Sequence, residues 1–68
     1  MKITNNLFSK LEGKICDIAL NNEDTIPYCK IVGIFKEENM IEIECDYRYS
    51  TIINCDSIAT IEYREKQD

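Results

Sequence analysis

The chain has 68 residues, with eight Lys and Arg against 13 Asp and Glu, no His, and a net charge of −5. That length holds one domain, residues 1–68, with a small core, because a chain near this size buries only roughly 60% of its unfolded surface. The acidic balance opposes non-specific attraction to nucleic-acid phosphate or to an anionic membrane surface.

A hydrophobic fraction of 44% is that of a globular protein, and Ile dominates it. Ile favours strands over helices through its stiff χ1. Residues 1–12 contain Lys, Asn and Glu without a continuous apolar run, so no leader is expected there. No stretch approaches the length of a membrane span. The expectation is a cytoplasmic protein with no membrane partner.

Thr4-Asn5-Asn6 offers N-cap chemistry, and Leu7, Phe8 and Leu11 then form one apolar stripe before Gly13. A short helix over about 4–12 is expected. Strand 1 follows over about 14–20, with Asp17 outward and Cys16, Ile18 and Leu20 inward. Asn21-Asn22-Glu23-Asp24 reads as a polar turn, and Pro27 as a loop exit or an edge position.

Strand 2 is expected over 28–35. Its run Lys30-Ile31-Val32-Gly33-Ile34-Phe35 lacks clean alternation, which a hard bend or bulge at Gly33 would explain. Lys36-Glu37-Glu38-Asn39 is a charged turn. Strand 3, 40–46, has the cleanest pattern: Ile41, Ile43 and Cys45 inward, Glu42, Glu44 and Asp46 outward.

Tyr47-Arg48-Tyr49 leads into strand 4, about 50–55, and strand 5 covers about 59–63. Between these two lie Asn54, Asp56 and Ser57, whose short side chains bond nearby backbone in turns. Glu62 is the one residue charged at neutral pH within both arms, although exposed edges normally carry charge against unwanted pairing. The sum is mainly β: a short N-terminal helix followed by a five-stranded, strongly bent antiparallel small barrel.

Cys16, Cys29, Cys45 and Cys55 are widely spaced, contain no CxxC and have no His for company. Zinc ligands come in close pairs on turns. The four cysteines therefore read as small buried hydrophobes, and no metal or cofactor is expected. No nucleophile elbow or phosphate-cradling loop is present, so no catalytic residue is assigned and the chain is not read as an enzyme.

The order of elements resembles the Sm-like family, bacterial Hfq included. The family's second motif runs Ile-Arg-Gly, two polar residues, Ile, then a short apolar strand. Ile53-Asn54-Cys55-Asp56-Ser57-Ile58-Ala59-Thr60-Ile61 is similar to it, and Gly33, Phe35, Asn39 and the Ile41/Ile43 alternation resemble the first motif. The resemblance spans roughly residues 4–63. It implies a homo-oligomer in which strand 4 of one copy pairs with strand 5 of the next. The interface would then be Ser50, Thr51, Ile52 and Ile53 with Ala59, Thr60 and Ile61.

Family members hold RNA bases with Arg-Gly, where this chain has Asn54 and Cys55, and Hfq carries Lys-His where this chain has Cys55 and Asp56. The leading expectation is a self-assembling, non-catalytic module that presents a surface to a protein partner. The alternative is RNA binding at a displaced site near Lys36, Asn39, Tyr47, Arg48, Tyr49 and Asn54, where aromatic and basic residues could stack bases.

Overall fold

The computed structural model describes residues 1–4, 8–46 and 49–63. Five strands form one sheet: β1 (Ile15–Leu20), β2 (Thr25–Phe35), β3 (Met40–Asp46), β4 (Tyr49–Asn54) and β5 (Ile58–Tyr63). A single 3₁₀ turn, Cys55–Ser57, joins the last two. The strand order is β4-β3-β2-β1-β5, and every neighbouring pair is antiparallel. No helix among the described residues is long and apolar enough to cross a membrane.

The sheet is open, not the closed barrel expected from the strand count, because β4 and β5 are its two edges and do not pair. It is curled nonetheless. Laid flat, edges four spacings apart would stand about 19 Å from each other. The four residues from Asn54 to Ile58 reach at most about 14 Å. The short turn can join the edges only if the sheet bends, and bulges supply the bend.

Strand β2 carries two of these bulges, which explains its missing alternation. Its inward residues are Ile26, Cys29, Ile31 and Ile34. The first irregularity sets Pro27 and Tyr28 opposite Asp17 alone, between the pairs Cys16–Cys29 and Ile18–Ile26. Tyr28 takes a left-handed φ of 54°, and its N–H donates to Asp17 Oδ1 at 2.7 Å. Asp17 thus closes the bulge rather than simply facing water. Pro27 lies inside the strand, not at a loop exit, where β2 runs beyond its ladder to β3 and needs no second donor.

The second bulge lies between Ile31 and Gly33, as expected near that glycine. Gly33 is not in a left-handed conformation. Its constraint is space: a Cβ there would stand 3.3 Å from Glu42 Cβ and 3.3 Å from Phe35 Cζ. The Phe35 ring lies over the bare backbone of the glycine.

Strand β3 matches its expected span, and Ile41 and Ile43 are fully buried. Cys45 is exposed, against the alternation. A register shift against β4 between Glu44 and Asp46 makes Cys45 the extra residue of a bulge. β1 and β5 differ from expectation by one residue at their starts, β4 lies one residue earlier at both ends, and β2 starts three residues early.

The expected helix over 4–12 is not shown over that span: among the described residues only Phe8 and Ser9 are helical, and residues 10–13 form turns. Residues 5–7 lie outside them. Phe8 N–H donates to Thr4 O at 3.3 Å, but Leu11 N–H then reaches Phe8 O and Lys14 N–H reaches Leu11 O, both three residues back. A segment this short is marginal as a helix. Its apolar demand is met by Phe8 and Leu11, which one turn brings to the same side. Gly13, with φ 86°, ends the turn and donates its N–H to Ile31 O at 2.7 Å. That bond fixes the segment against β2.

Ile3, Phe8 and Leu11 lie over one face of the curled sheet. Beneath them are Cys16, Ile18, Cys29, Ile31, Ile41, Ile43, Cys55 and Ile58, and together these form the single core. Three of the four cysteines belong to it. β4 adds only the half-buried Ile53.

Candidate interaction edges and the turn cluster

Two places concentrate groups outside the core: the free edges of the sheet, and a cluster of turns at one end. On β4, the register places Ile53 beside Ile41 and Thr51 beside Ile43, which is the inner side. Ile52 stands beside Glu42 and Ser50 beside Glu44, which is the outer side. Ser50, Thr51 and Asn54 are exposed, Ile52 is 59% exposed and Tyr49 66%. No residue from Tyr49 to Asn54 is charged at neutral pH.

On β5, Ile58 and Ile61 lie inward beside Leu20 and Ile18, while Thr60 and Glu62 lie outward beside Ala19 and Asp17. Ala59 and Thr60 are exposed and Ile61 is half-buried. The expected interface residues Ser50, Thr51, Ile52, Ile53, Ala59, Thr60 and Ile61 therefore occupy both edges of the sheet. Strands at an edge present unpaired N–H and C=O groups that another strand can complete. Here the usual charged protection is missing from one edge and reduced to Glu62 on the other.

At one end of the sheet, Asn39 ties three segments together. It has a left-handed φ of 57°, which Asn tolerates better than most residues. Its Oδ1 accepts from Ile3 N–H at 2.9 Å. Its Nδ2 donates to Met1 O at 3.1 Å and to Asp56 Oδ1 at 3.0 Å. Its own carbonyl accepts from Cys55 N–H at 2.8 Å. The Met1 amine completes the junction by donating to Cys55 O at 2.8 Å. Asn54 caps the 3₁₀ turn, its Oδ1 accepting from Asp56 N–H at 2.9 Å.

The β1–β2 turn docks on the same cluster. Asn21 N–H donates to Ser57 O at 2.9 Å, and Asn21 Nδ2 to Asp56 O at 2.8 Å. Leu20, Asn21, Asn22, Asp56 and Ser57 line a shallow open depression of about 310 Å³ there. Asn39, a base-contacting candidate by sequence, is in the structure the residue that holds this junction. Its asparagine-after-turn position marked a left-handed residue, but nothing local marked the partners.

Of the residues proposed for RNA, Asn39 and Asn54 share this cluster, with both side-chain oxygens engaged within the chain. Lys36 is exposed in the β2–β3 turn, and Tyr49 stands at the far end of β4. Tyr47 and Arg48 lie outside the described residues.

Burial pushes the thiols of Cys16 and Cys55 above their ordinary 9.0, and Cys29 up to about 12. After burial, the neighbouring thiols of Cys45 and of Cys16, which faces Cys29 across the β1–β2 ladder, push the same way. Thiols held protonated in this way are weak nucleophiles and poor metal ligands. Among the described residues, no group of three or more Cys, Asp or Glu stands together as a metal site. No protein-family model, no curated protein and no solved structure matches the chain.

Proposed function

We propose that this protein is a non-catalytic, Sm-like interaction module that assembles with copies of itself through the open edges of its sheet. The observation that carries the reading is the pair of edge strands, β4 and β5, with Glu62 as their one residue charged at neutral pH. A protein that stays monomeric protects such edges with Lys, Pro or inward charge. The small core adds a motive, since domains of this size gain stability from association.

The resemblance to the Sm-like family supports the reading through the shared strand count and the short turn before strand 5. It also supplies the expectation that strand 4 and strand 5 make the contacts. Self-assembly is favoured over RNA binding by the net charge of −5 and by the commitment of the Asn39 amide to bonds within the chain.

Sedimentation over a range of concentrations tests the proposal, with oligo-U and oligo-A titrations at two salt concentrations run beside it. Association of the protein alone, with no salt-sensitive RNA binding, is the expected result. A monomer at every concentration, or tight RNA binding that weakens steeply with salt, would overturn it.

A further inference from the structure

We infer that the contact between copies is β4 against β4 about a two-fold axis at Ile52, which joins two five-stranded sheets into one of ten strands. This rests on the self-assembly proposed above and replaces its head-to-tail arrangement with a symmetric one. The argument begins with strand direction. All four ladders are antiparallel, so β4 and β5, four steps apart in the sheet, run in the same sense. Placing β5 of a second copy beside β4 with inner faces aligned makes the two strands parallel. Turning them antiparallel swaps the faces, and Ile53 then shares a side with Thr60 and Glu62.

Pairing β4 with itself avoids both outcomes. A two-fold axis perpendicular to the sheet makes the strands antiparallel by symmetry and keeps inner residues on the inner side. With the axis at Ile52, that side chain meets Ile52 of the second copy on the outer face. Ile53 then faces Thr51 on the inner face, and Ser50 faces Asn54 on the outer. Ile52 meets an apolar partner and Ser50 a small polar one, while Ile53 against Thr51 sets two β-branched residues side by side, and none of the pairings opposes like charges.

The charges agree with a copy of this chain as the occupant. An acidic protein selects a basic partner only where its contact carries charge, and β4 carries none. The nearest like charges are the Glu42 carboxylates beside each Ile52. Three strand spacings separate them, about 14 Å. That exceeds the screening length of about 8 Å at physiological salt. The other edge is less open: Met1 N contacts Ile58 O at 3.5 Å, and Glu62 stands on the strand.

A residue on a two-fold axis can form a disulfide with its own copy, and a residue in a head-to-tail contact cannot. Ile52→Cys is made in a Cys45→Ser background, which removes the exposed thiol, and is oxidised with copper–phenanthroline. Directly opposed residues of antiparallel strands lie within disulfide reach. The expected result is a disulfide-linked pair joined at position 52 and a parent protein that sediments as two chains, without larger species. Cross-linking that appears only when Thr60→Cys accompanies Ile52→Cys would overturn the two-fold contact while leaving edge-mediated assembly standing. A parent protein that sediments as one chain at 100 µM would overturn both.

Discussion

Replacing Asn39 separates two effects that the structure combines in one residue. Asn39→Gly keeps a backbone that accepts φ 57° and deletes the amide, which takes three hydrogen bonds with it. At about 0.5–1.5 kcal/mol net for each bond, the expected loss is about 1.5–4.5 kcal/mol. Asn39→Ala deletes the same bonds and forces a Cβ into the left-handed region, which adds about 1 kcal/mol. The Ala variant should therefore be the less stable of the two, the reverse of their usual order in regular structure. Urea unfolding followed by circular dichroism measures this, provided the slope is unchanged. A domain of this kind has only about 5 kcal/mol or somewhat more in total, so the midpoint should fall far enough to measure easily. Hydrogen exchange at the Ile3 amide should quicken in both variants. Equal stability of Ala and Gly, or a loss under about 0.5 kcal/mol in both, would refute the role given to Asn39.

Other perturbations have defined outcomes. Glu62 lies directly across from Asp17 in the β1–β5 ladder, so Glu62→Lys should raise the melting temperature, by about 0.2–1 kcal/mol of stability, and a lower one would refute the pairing. Thiol labelling of the folded protein should show one fast thiol, Cys45, and three slow ones, with all four fast in urea. The buried thiols are raised above 9.0, so their contribution to stability is complete below pH 9 and is lost as pH climbs toward the folded value of about 12 for Cys29. Urea midpoints should accordingly be flat between pH 7 and 8 and fall at pH 10. Gly33→Ala should cost less than about 1 kcal/mol, because the Glu42 and Phe35 side chains can shift by a few tenths of an ångström. A loss several times larger would mean that those side chains are pinned.

The parts of this fold that were legible in the sequence are those where the period of two runs undisturbed. Ile41-Glu42-Ile43-Glu44 declared its faces, and Ile58 to Tyr63 declared a strand beside a tight turn. Where a bulge adds a residue, alternation fails. In β2 the inward positions 26, 29, 31 and 34 mix spacings of three and two, and the sequence marks this only through Pro27 and Gly33. At Cys45 nothing marked the bulge, and an apolar residue in perfect alternation turned out exposed. The N-terminal segment offered an N-cap and an apolar stripe, yet among the described residues only Phe8 and Ser9 are helical before turns carry the chain against the core. Asn39 was hidden for a different reason. Its partners Ile3 and Asp56 are 36 and 17 residues away, so its role exists only after the sheet has curled. The two free edges were visible as a shortage of charge, since that property needs no register.

Whether an unprotected edge strand joins one copy to another is read by light scattering of the parent protein beside Ile52→Lys. Ile52 is 59% exposed on the outer side of β4, so a lysine there leaves the core intact and places a charge in the contact. Burying that side chain between copies is favourable by about 25 cal/mol per Å² of apolar surface, and the substitution forfeits this and adds repulsion between like charges. At tens of micromolar the parent should scatter as more than one chain. The lysine variant should scatter as a single chain with an unchanged circular dichroism spectrum. A parent protein of one chain, or a variant that stays associated as firmly as the parent, would mean that this edge does not join the copies.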